Sequence, residues 1–284
     1  MKKNILSLIN SWMKLFCVFF LFSSINSFAA LNDFTVVTWN MQGANSGTEN
    51  KWQSSVRQLI SSRVGGADIL LLQEAGQVPV SAELTSRIIV SQVPGVPVEE
   101  FIWSLGTRSR PQQVFLYFSR VDTGANRVNL AIVSRQRADE VLVVAPPTPV
   151  SRPILGIRIG QDAFFNTHAL ASRGSDSASI IASVNQFLFQ QATPLRDVNW
   201  MIAGDFNRSP ESLTTLMQRT QPAINFSVVS TGLPTQSSGG ELDYAVIGSL
   251  SQPVAQNLTA SPFLAQRLGQ ITSDHIPVEF SSNR

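Results

Sequence analysis

Short apolar runs recur along most of the chain, and several of them are apolar at nearly every position. Runs of four to eight such residues, rich in β-branched and aromatic side chains, predict strands with both faces buried. Sheets made of these strands need a cover on each side, which limits the fold to stacked layers. The predicted strands are Phe34–Asn40, Asp68–Gln73, Val114–Ser119, Arg127–Ser134, Glu140–Val144, Ile154–Ile159, Ala163–Thr167, Trp200–Ala203, Asp243–Ile247 and Val278–Phe280.

Two segments between these runs have the periodicity of a helix instead. In residues 52–60, and again in residues 180–188, large apolar side chains recur three or four positions apart. That spacing places them on one face of a helix, where they can pack on a sheet. Helices and sheets together predict an α/β sandwich of layers.

The first 29 residues have the features of a secretory signal peptide. Lys2 and Lys3 precede a short apolar run at residues 15–22, and Ser27 and Ala29 form a small-x-small cleavage pattern. The run is too short to span a bilayer. We therefore predict a signal peptide at residues 1–29, export of the chain, and a single domain over residues 30–284. The alternative is a membrane anchor, which the lack of a following stop-transfer segment disfavours.

The charges of the predicted domain are arranged unevenly. Without the signal segment, 18 basic residues remain against 19 acidic ones, and Lys51 is the one lysine among them. Residues 108–158 hold eight arginines against three acidic residues. Arginine suits bidentate contacts with phosphate, so this stretch suggests a polyanionic substrate. The alternative is a solvated edge of a sheet.

Polar side chains follow four of the predicted strands where each strand ends. They are Asn40, Glu74, His168 and the Asp205–Asn207 segment. Loops at the carboxyl ends of strands carry the sites of layered α/β proteins, because the sheet holds them in register. We expect these side chains to lie together.

The same residues, with two later motifs, supply the parts needed for cleavage of a phosphodiester. Glu74 is a candidate ligand for a hard cation. A histidine near its neutral pKa can move a proton, and a carboxylate beside it fixes its tautomer. Asp243 and the Ser273–His275 motif offer such a pair. Each feature alone also has an ordinary structural explanation, such as a surface charge, an Asx turn or a buried histidine.

Taken in order, six motifs resemble the motif series of the endonuclease/exonuclease/phosphatase superfamily. They are Thr38-Trp39-Asn40, Gln73-Glu74, Thr167-His168, Gly204-Asp205-Phe206-Asn207, Leu242-Asp243-Tyr244 and Ser273-Asp274-His275-Ile276-Pro277. Longer stretches are similar to the B subunits of cytolethal distending toxins, over nearly all of the chain after the signal segment. They include Asn50-Lys51-Trp52, residues 127–134 and residues 203–210.

The resemblance implies a fold and a set of roles. The fold is a four-layer, deoxyribonuclease-like α/β sandwich with two central mixed β-sheets. Glu74 and Asn40 hold Mg²⁺, with Mn²⁺ or Ca²⁺ as alternatives, and Asp274 lies at the metal site. His275, oriented by Asp243, acts on water. His168 is the acid or the phosphate stabiliser on the leaving side, and Asp205 and Asn207 position water and phosphate. Arg152 contacts phosphate, and Arg127 is a weaker candidate for a contact with the DNA backbone.

The implied function is that of a secreted bacterial toxin subunit. The resemblance implies a catalytic domain that is a Mg²⁺-dependent endodeoxyribonuclease acting on double-stranded DNA in the host nucleus, with DNA damage and cell-cycle arrest as the result. It also implies a heterotrimer with lectin-like A and C subunits, and no membrane insertion by this chain itself. The alternatives are a phosphoinositide phosphatase using the same site, and a non-catalytic subunit that only binds partners.

One position departs from the pattern of the pancreatic nucleases within this superfamily. There, a glutamate pairs with the first histidine, and the matching segment here holds Gln112 and Gln113. Glutamine cannot stabilise an imidazolium by charge. We therefore expect His168 to be protonated less easily than its counterparts.

Overall fold

The computed structural model describes residues 31–44, 47–61, 66–121, 124–192, 195–250, 257–263 and 272–282. The predicted signal peptide at residues 1–29 lies outside the described residues. In the described part of the chain, no helix is both long and apolar enough to cross a membrane.

The described residues form fourteen strands in two sheets. The first sheet has the order β13-β14-β1-β2-β6-β5-β4-β3, and the second has the order β11-β12-β10-β9-β8-β7. β1 and β2 run parallel, as do β9 and β10, and the other neighbours are antiparallel. Both sheets are therefore mixed. The strands are β1 Val36–Asn40, β2 Ile69–Gln73, β3 Ala82–Leu84, β4 Val98–Ser104, β5 Gln113–Ser119, β6 Leu130–Ser134, β7 Glu140–Val144, β8 Ile154–Ile159, β9 Asp162–His168, β10 Asn199–Asp205, β11 Phe226–Val229, β12 Asp243–Ser249, β13 Leu258–Pro262 and β14 Val278–Ser282.

Helical segments lie on the outer face of each sheet. Beside the first sheet, a π-helical turn separates two short α-helices, and beside the second sheet lie two longer ones. Ser209 caps the last helix by accepting a hydrogen bond from Ser212 N, and a proline follows the cap, as is common where helices begin. The segments are α1 Thr48–Lys51, the π turn Trp52–Val56, α2 Arg57–Ser61, α3 Ser177–Phe189 and α4 Pro210–Thr220, with 3₁₀ turns at Leu31–Asp33 and Leu195–Asp197.

Three apolar clusters join these elements into four layers. Alternate residues of each strand point to opposite faces of its sheet. Val36 of β1 and Met201 of β10 therefore pack in the cluster between the sheets. Val37 packs against the helical segment that carries Trp52, whereas Ile202 packs against the two longer helices. The order is helix, sheet, sheet, helix, and the predicted four-layer α/β sandwich with two central mixed sheets is confirmed.

All ten predicted strands are present, with ends within three residues of the predicted ones. The strands β3, β4, β11 and β13 were not predicted. Each of these strands has half-buried or exposed positions and contains polar residues, so none of them shows a continuous apolar run. Helix α4 was not predicted either: only Pro210, Leu213 and Met217 of its residues are buried. Sparse apolar patterns of this kind do not stand out in a sequence.

Asp162 begins β9 with its side chain buried, and this predicts a pH-dependent stability. Burial raises its pKa to about 7, the hydrogen bond from Asn199 opposes the rise, and the charge of Asp33 adds to it. The unfolded chain loses this proton near pH 3.8, so the native state holds the extra proton between that pH and 7. The free energy of unfolding therefore falls as pH rises through this window.

We expect Asp162→Asn to remove this part of the pH dependence, which amounts to at most about 4 kcal/mol. Urea unfolding midpoints of both proteins, measured across the same window, check the prediction. Parallel curves for wild type and variant would contradict it.

Candidate active site

The two pairs of parallel strands end at one edge of the sandwich. In the first sheet, Asn40 at the end of β1 lies opposite Gln73 at the end of β2. In the second sheet, Asp205 at the end of β10 lies between His168 of β9 and Asp243 of β12. The strand ends predicted to carry chemistry are therefore held in register by backbone hydrogen bonds.

Asn40 connects the two sheets at this edge. Its Nδ2 donates to Asp205 Oδ2 over 3.1 Å and to Glu74 Oε1 over 3.2 Å. Glu74 follows β2 and has a φ of +47°, a conformation uncommon outside glycine. Its side chain is partly exposed. Glu74 therefore presents its carboxylate to solvent from a fixed backbone position.

His275 forms a buried pair with Asp243. Its Nδ1 lies 2.7 Å from Asp243 Oδ2, and the same oxygen accepts a hydrogen bond from Thr235 Oγ1 over 2.8 Å. Burial opposes protonation of His275, but the hydrogen bond to Asp243 and the charges of Asp243, Asp205 and Asp274 raise its pKa to about 9. The geometry is that of a histidine whose tautomer is fixed by a carboxylate, with Nε2 directed into the site.

Asp205 lies between the two histidines. Its Oδ2 is 3.6 Å from His168 Nε2 and 3.8 Å from His275 Nε2. Its Oδ1 accepts the backbone N–H of Asn207 over 2.8 Å. Burial, and next the charge of Asp243, raise the pKa of Asp205 to about 7, while His275 opposes the rise. The two imidazoles thus converge on one carboxylate.

Asn207 and Arg152 support the backbone beside His168. Asn207, at φ +48°, donates from Nδ2 to Ala169 O over 3.0 Å. Arg152 Nη1 donates to His168 O over 2.9 Å and to Ala169 O over 2.7 Å. These contacts place Arg152 at the site but engage Nη1 with the backbone, so it positions the end of β9.

His168 is buried and is held neutral. Burial is the main cause, and the charges of Arg152 and His275 add to it, lowering the pKa of His168 well below its usual value. Its Nε2 lies 3.9 Å from Glu74 Oε1 and 3.6 Å from Asp205 Oδ2. Two carboxylates beside Nε2 favour the tautomer with its hydrogen there, so a neutral His168 is a hydrogen-bond donor.

His168 is protonated less easily than usual, as expected, but the reason given was wrong: residues 112–113 do not lie beside it. Gln113 begins β5, and two residues later Phe115 lies opposite Ser134, at the end of β6. Ser134 in turn lies opposite Ile69, the first residue of β2. This is the end of the first sheet away from Gln73, so burial rather than a lost acid keeps His168 from being protonated.

Oxygen ligands suited to a hard cation lie beside the histidines. Asp274 Oδ2 accepts a hydrogen bond from Gln236 over 3.0 Å, whereas Oδ1 is buried and has no hydrogen-bond partner among the described residues. Glu74 Oε1 lies 3.9 Å from His168 Nε2, and Asp274 Oδ1 lies 3.8 Å from His275 Nε2, so each carboxylate borders one of the two histidines. Carboxylate and amide oxygens are the ligands that Mg²⁺ prefers, and the predicted set with Asn40 fits it.

A second group of metal-ligand type consists of Asp205, Asp243 and His275, whose ligand atoms lie within 4.8 Å of one another. In this group, His275 Nδ1 and Asp243 Oδ2 are joined by a hydrogen bond of 2.7 Å. A proton therefore occupies the position that a cation would need between them. The trio is better suited to moving protons than to holding a metal.

Two more outcomes concern residues at the rim. Arg127 is exposed on the loop before β6. That loop lies at the same edge, because Ala75 N donates to Asn129 O, but none of the contacts above includes Arg127.

The sequence analysis missed Thr235 and Gln236, which donate hydrogen bonds to Asp243 and Asp274. They belong to an irregular polar loop, whose sequence carries no signal of these contacts.

Comparison with known proteins places this site in a family. The model of the Endonuclease/Exonuclease/phosphatase family matches residues 37–275. The chain is 47% identical to the B subunit of the Escherichia coli cytolethal distending toxin over 283 residues, 99% of each chain. A homologue of that protein in Salmonella typhi is 46% identical over 269 residues, 93% of this chain and 97% of the other.

Solved structures agree with these matches. A chain of the Haemophilus ducreyi cytolethal distending toxin superposes with a TM-score of 0.83 at 48% identity, covering 89% of this chain and all of that one. Structures of other endonuclease/exonuclease/phosphatase proteins, such as one from Leptotrichia buccalis at 14% identity and a TM-score of 0.56, share the fold alone. This chain belongs to the endonuclease/exonuclease/phosphatase family and, within it, to the B subunits of cytolethal distending toxins.

Proposed function

We propose that the chain is a Mg²⁺-dependent endodeoxyribonuclease that hydrolyses phosphodiester bonds of double-stranded DNA. The observation that carries the proposal is the placement of two imidazoles around Asp205, one of them paired with the buried Asp243, beside a set of oxygen ligands. A group that accepts a proton on one side of a point and a hydrogen-bond donor on the other suit an in-line displacement, in which water enters as an alkoxide leaves.

His275 serves the water side in this mechanism. Asp243 orients the ring through Nδ1, so Nε2 takes the proton of the attacking water, and the carboxylate stabilises the imidazolium that forms. Asp205 and Asn207 hold the water and the phosphate between the two rings. When bound, a divalent cation would neutralise phosphate charge and offset the carboxylates that raise the pKa of His275.

His168 serves the leaving side as a neutral donor. Its low pKa excludes a stored proton at neutral pH, so its contribution is a hydrogen bond from Nε2 to a phosphoryl or leaving oxygen. Arg152 fixes the end of β9 that carries the ring. Glu74, Asn40 and Asp274 are the residues that would hold the cation, with Mg²⁺ as the primary candidate and Mn²⁺ or Ca²⁺ as alternatives.

The remaining parts of the proposal concern the setting. We propose that residues 1–29 direct export, and that the chain then acts in the host nucleus as the catalytic subunit of a heterotrimer with lectin-like A and C subunits. The family match and the similarity to a chain of a whole toxin support the assembly. DNA damage and cell-cycle arrest are the proposed outcome for the host cell.

The test compares two substrates under one set of conditions. We expect the purified chain to nick supercoiled plasmid with Mg²⁺ and not with EDTA, and to release little phosphate from a phosphoinositide vesicle. Glu74→Gln should need about tenfold more Mg²⁺ for half-maximal nicking, because one anionic ligand is lost. Gel quantification of nicked circles gives both measurements.

Glu83→Gln is the matched control, since Glu83 is exposed on the edge strand β3. It should behave as wild type. Cation-dependent phosphate release that exceeds nicking would instead favour the phosphoinositide phosphatase, and nicking that survives EDTA would refute the cation requirement.

A further inference from the structure

The loop that follows β1 contacts all three residues of the proposed cation site. Gln42 N donates to Asn40 Oδ1 over 3.1 Å, and Gln42 Oε1 accepts the backbone N–H of Asp274 over 3.1 Å. The next N–H, that of Gly43, donates to Glu74 O over 2.7 Å. One short segment therefore joins residues that come from distant parts of the chain.

Gln42 holds a conformation that glutamine seldom adopts. Its φ is +48°, in the left-handed region that disfavours residues with a side chain. Of the five non-glycine residues with positive φ in the described ranges, three belong to this site: Gln42, Glu74 and Asn207. Backbone strain persists where surrounding contacts determine it, and it concentrates at functional sites.

Lys51 fixes the loop from the other side. Its side chain is only 5% exposed, and Nζ donates to Met41 O over 2.6 Å and to Gln42 O over 3.0 Å. A buried ammonium is retained only where it is bonded and compensated by charge. Burial lowers the pKa of Lys51, and the charges of Glu74 and Asp274 oppose this lowering, so the two carboxylates offset part of the cost of burying the ammonium.

The turn that carries Asp274 does not depend on Gln42 for its attachment. Ser273 Oγ donates to Asn40 O over 2.7 Å, and Trp39 Nε1 donates to His275 O over 3.0 Å. Gln236 Nε2 also donates to Asp274 Oδ2, and Ser237 N donates to Asp274 O, whereas Gln42 is the residue that accepts the backbone N–H of Asp274. Its loss should therefore change the direction of the Asp274 carboxylate rather than release the turn.

We propose that Gln42, held in its strained conformation by Lys51, is a positioning residue that keeps Asn40, Glu74 and Asp274 aimed at one divalent cation. The inference rests on the proposed cation dependence of the site. Gln42 would not bind the cation itself but would hydrogen-bond to its ligands. In other metal-binding proteins, removing such a partner lowers the metal affinity by about 10- to 100-fold.

Gln42→Gly separates a role in cation binding from a structural role, because we expect it to weaken the binding of Mn²⁺ without lowering the Tm. Glycine adopts positive φ without strain, so the Tm should stay at or above that of wild type. The Kd for Mn²⁺, measured by calorimetry on the purified full chain without DNA, should rise by about 10- to 100-fold. Gln42→Glu keeps an acceptor for Asp274 N and adds a negative charge, so it should bind Mn²⁺ at least as tightly as wild type.

Arg173→Gly is the control for the backbone effect. Arg173 has a φ of +58° but is exposed on the loop after β9 and contacts none of the three ligands in the hydrogen bonds described above. It should keep the wild-type Kd for Mn²⁺. Wild-type Mn²⁺ affinity in Gln42→Gly overturns the inference, as does an equal loss in Arg173→Gly.

The binding experiment also separates this inference from the proposed nuclease activity. If wild type binds Mn²⁺ but does not nick DNA, the comparison of Kd values still decides the role of Gln42. If wild type shows no saturable Mn²⁺ binding, both this inference and the cation dependence of the proposed function are overturned.

Discussion

Asp243→Asn is expected to lower the rate of plasmid nicking by about 10²–10⁴-fold, while the protein stays folded. Asp243 Oδ2 accepts hydrogen bonds from both His275 Nδ1 and Thr235 Oγ1. If the asparagine presents its oxygen there, the tautomer of His275 survives, but the charge that supports an imidazolium is lost. If it presents its amide instead, the hydrogen of the imidazole moves to Nε2, which can then no longer accept the proton of water.

Thr235 favours the first of these orientations. Its hydroxyl oxygen accepts the N–H groups of Leu242 and Asp243, so its own hydrogen is directed at the Asp243 side chain. The amide nitrogen of the substituted asparagine would then occupy the place of Asp243 Oδ1, which is buried and has no hydrogen-bond partner among the described residues. We expect a cost of about 1–3 kcal/mol in the free energy of unfolding, which urea denaturation measures.

Asp162→Asn is the matched control for this variant. It makes the same substitution on another buried strand aspartate, and Asp162 and His168 are the first and last residues of β9. Nicking by Asp162→Asn should equal that of wild type. Equal losses in the two variants would indicate a general effect of placing an amide in the core, and full activity in Asp243→Asn would contradict the role given to the pair.

The strands were predictable because their signal is local. β2 and β6 are buried at every position, so their apolar runs can be read without knowledge of their neighbours. The edge strand β3 lacks such a run, because half of its surroundings is solvent. The same reasoning explains why the fold class could be inferred from sequence although four strands could not.

The site was predictable only where the register of a sheet determines it. Asn40, His168 and Asp205 meet because parallel strands bring their carboxyl ends together. The partner of His275 follows in the same way, since Asp243 begins the strand beside Asp205. Once the sheet order is known, these contacts are nearly determined.

Contacts made by loops were not predictable in this way. Gln236 reaches Asp274 across 38 positions of sequence, from a loop without periodicity. The expectation for residues 112–113 failed for a different reason: it matched a segment by its motif alone, and the start of β5 lies at the end of the first sheet away from the site.

The two histidines should respond differently to replacement by glutamine, and this distinguishes their roles. A glutamine amide donates a hydrogen bond but cannot take a proton at neutral pH. His168 is held neutral and faces the site with a donor, so His168→Gln should retain about tenfold more nicking activity than His168→Ala, which should lose about 10²–10³-fold. His275 must accept a proton, so His275→Gln and His275→Ala should be equally inactive.

Single-turnover nicking rates of the four variants at saturating Mg²⁺ make the comparison independent of cation affinity. Circular dichroism should show the same fold for all four, because His275 is tied to the structure through its backbone oxygen, which accepts Trp39 Nε1. Rescue by glutamine at position 275, or none at position 168, would reverse the assignment of the two sides. That reversal would place the attacking water beside β9, where both neighbouring carboxylates face Nε2 of the imidazole, at 3.6 and 3.9 Å, and no described residue hydrogen-bonds its Nδ1. The buried pair of His275 and Asp243, with 2.7 Å between its atoms, is the arrangement that a base requires, and the glutamine series tests that difference directly.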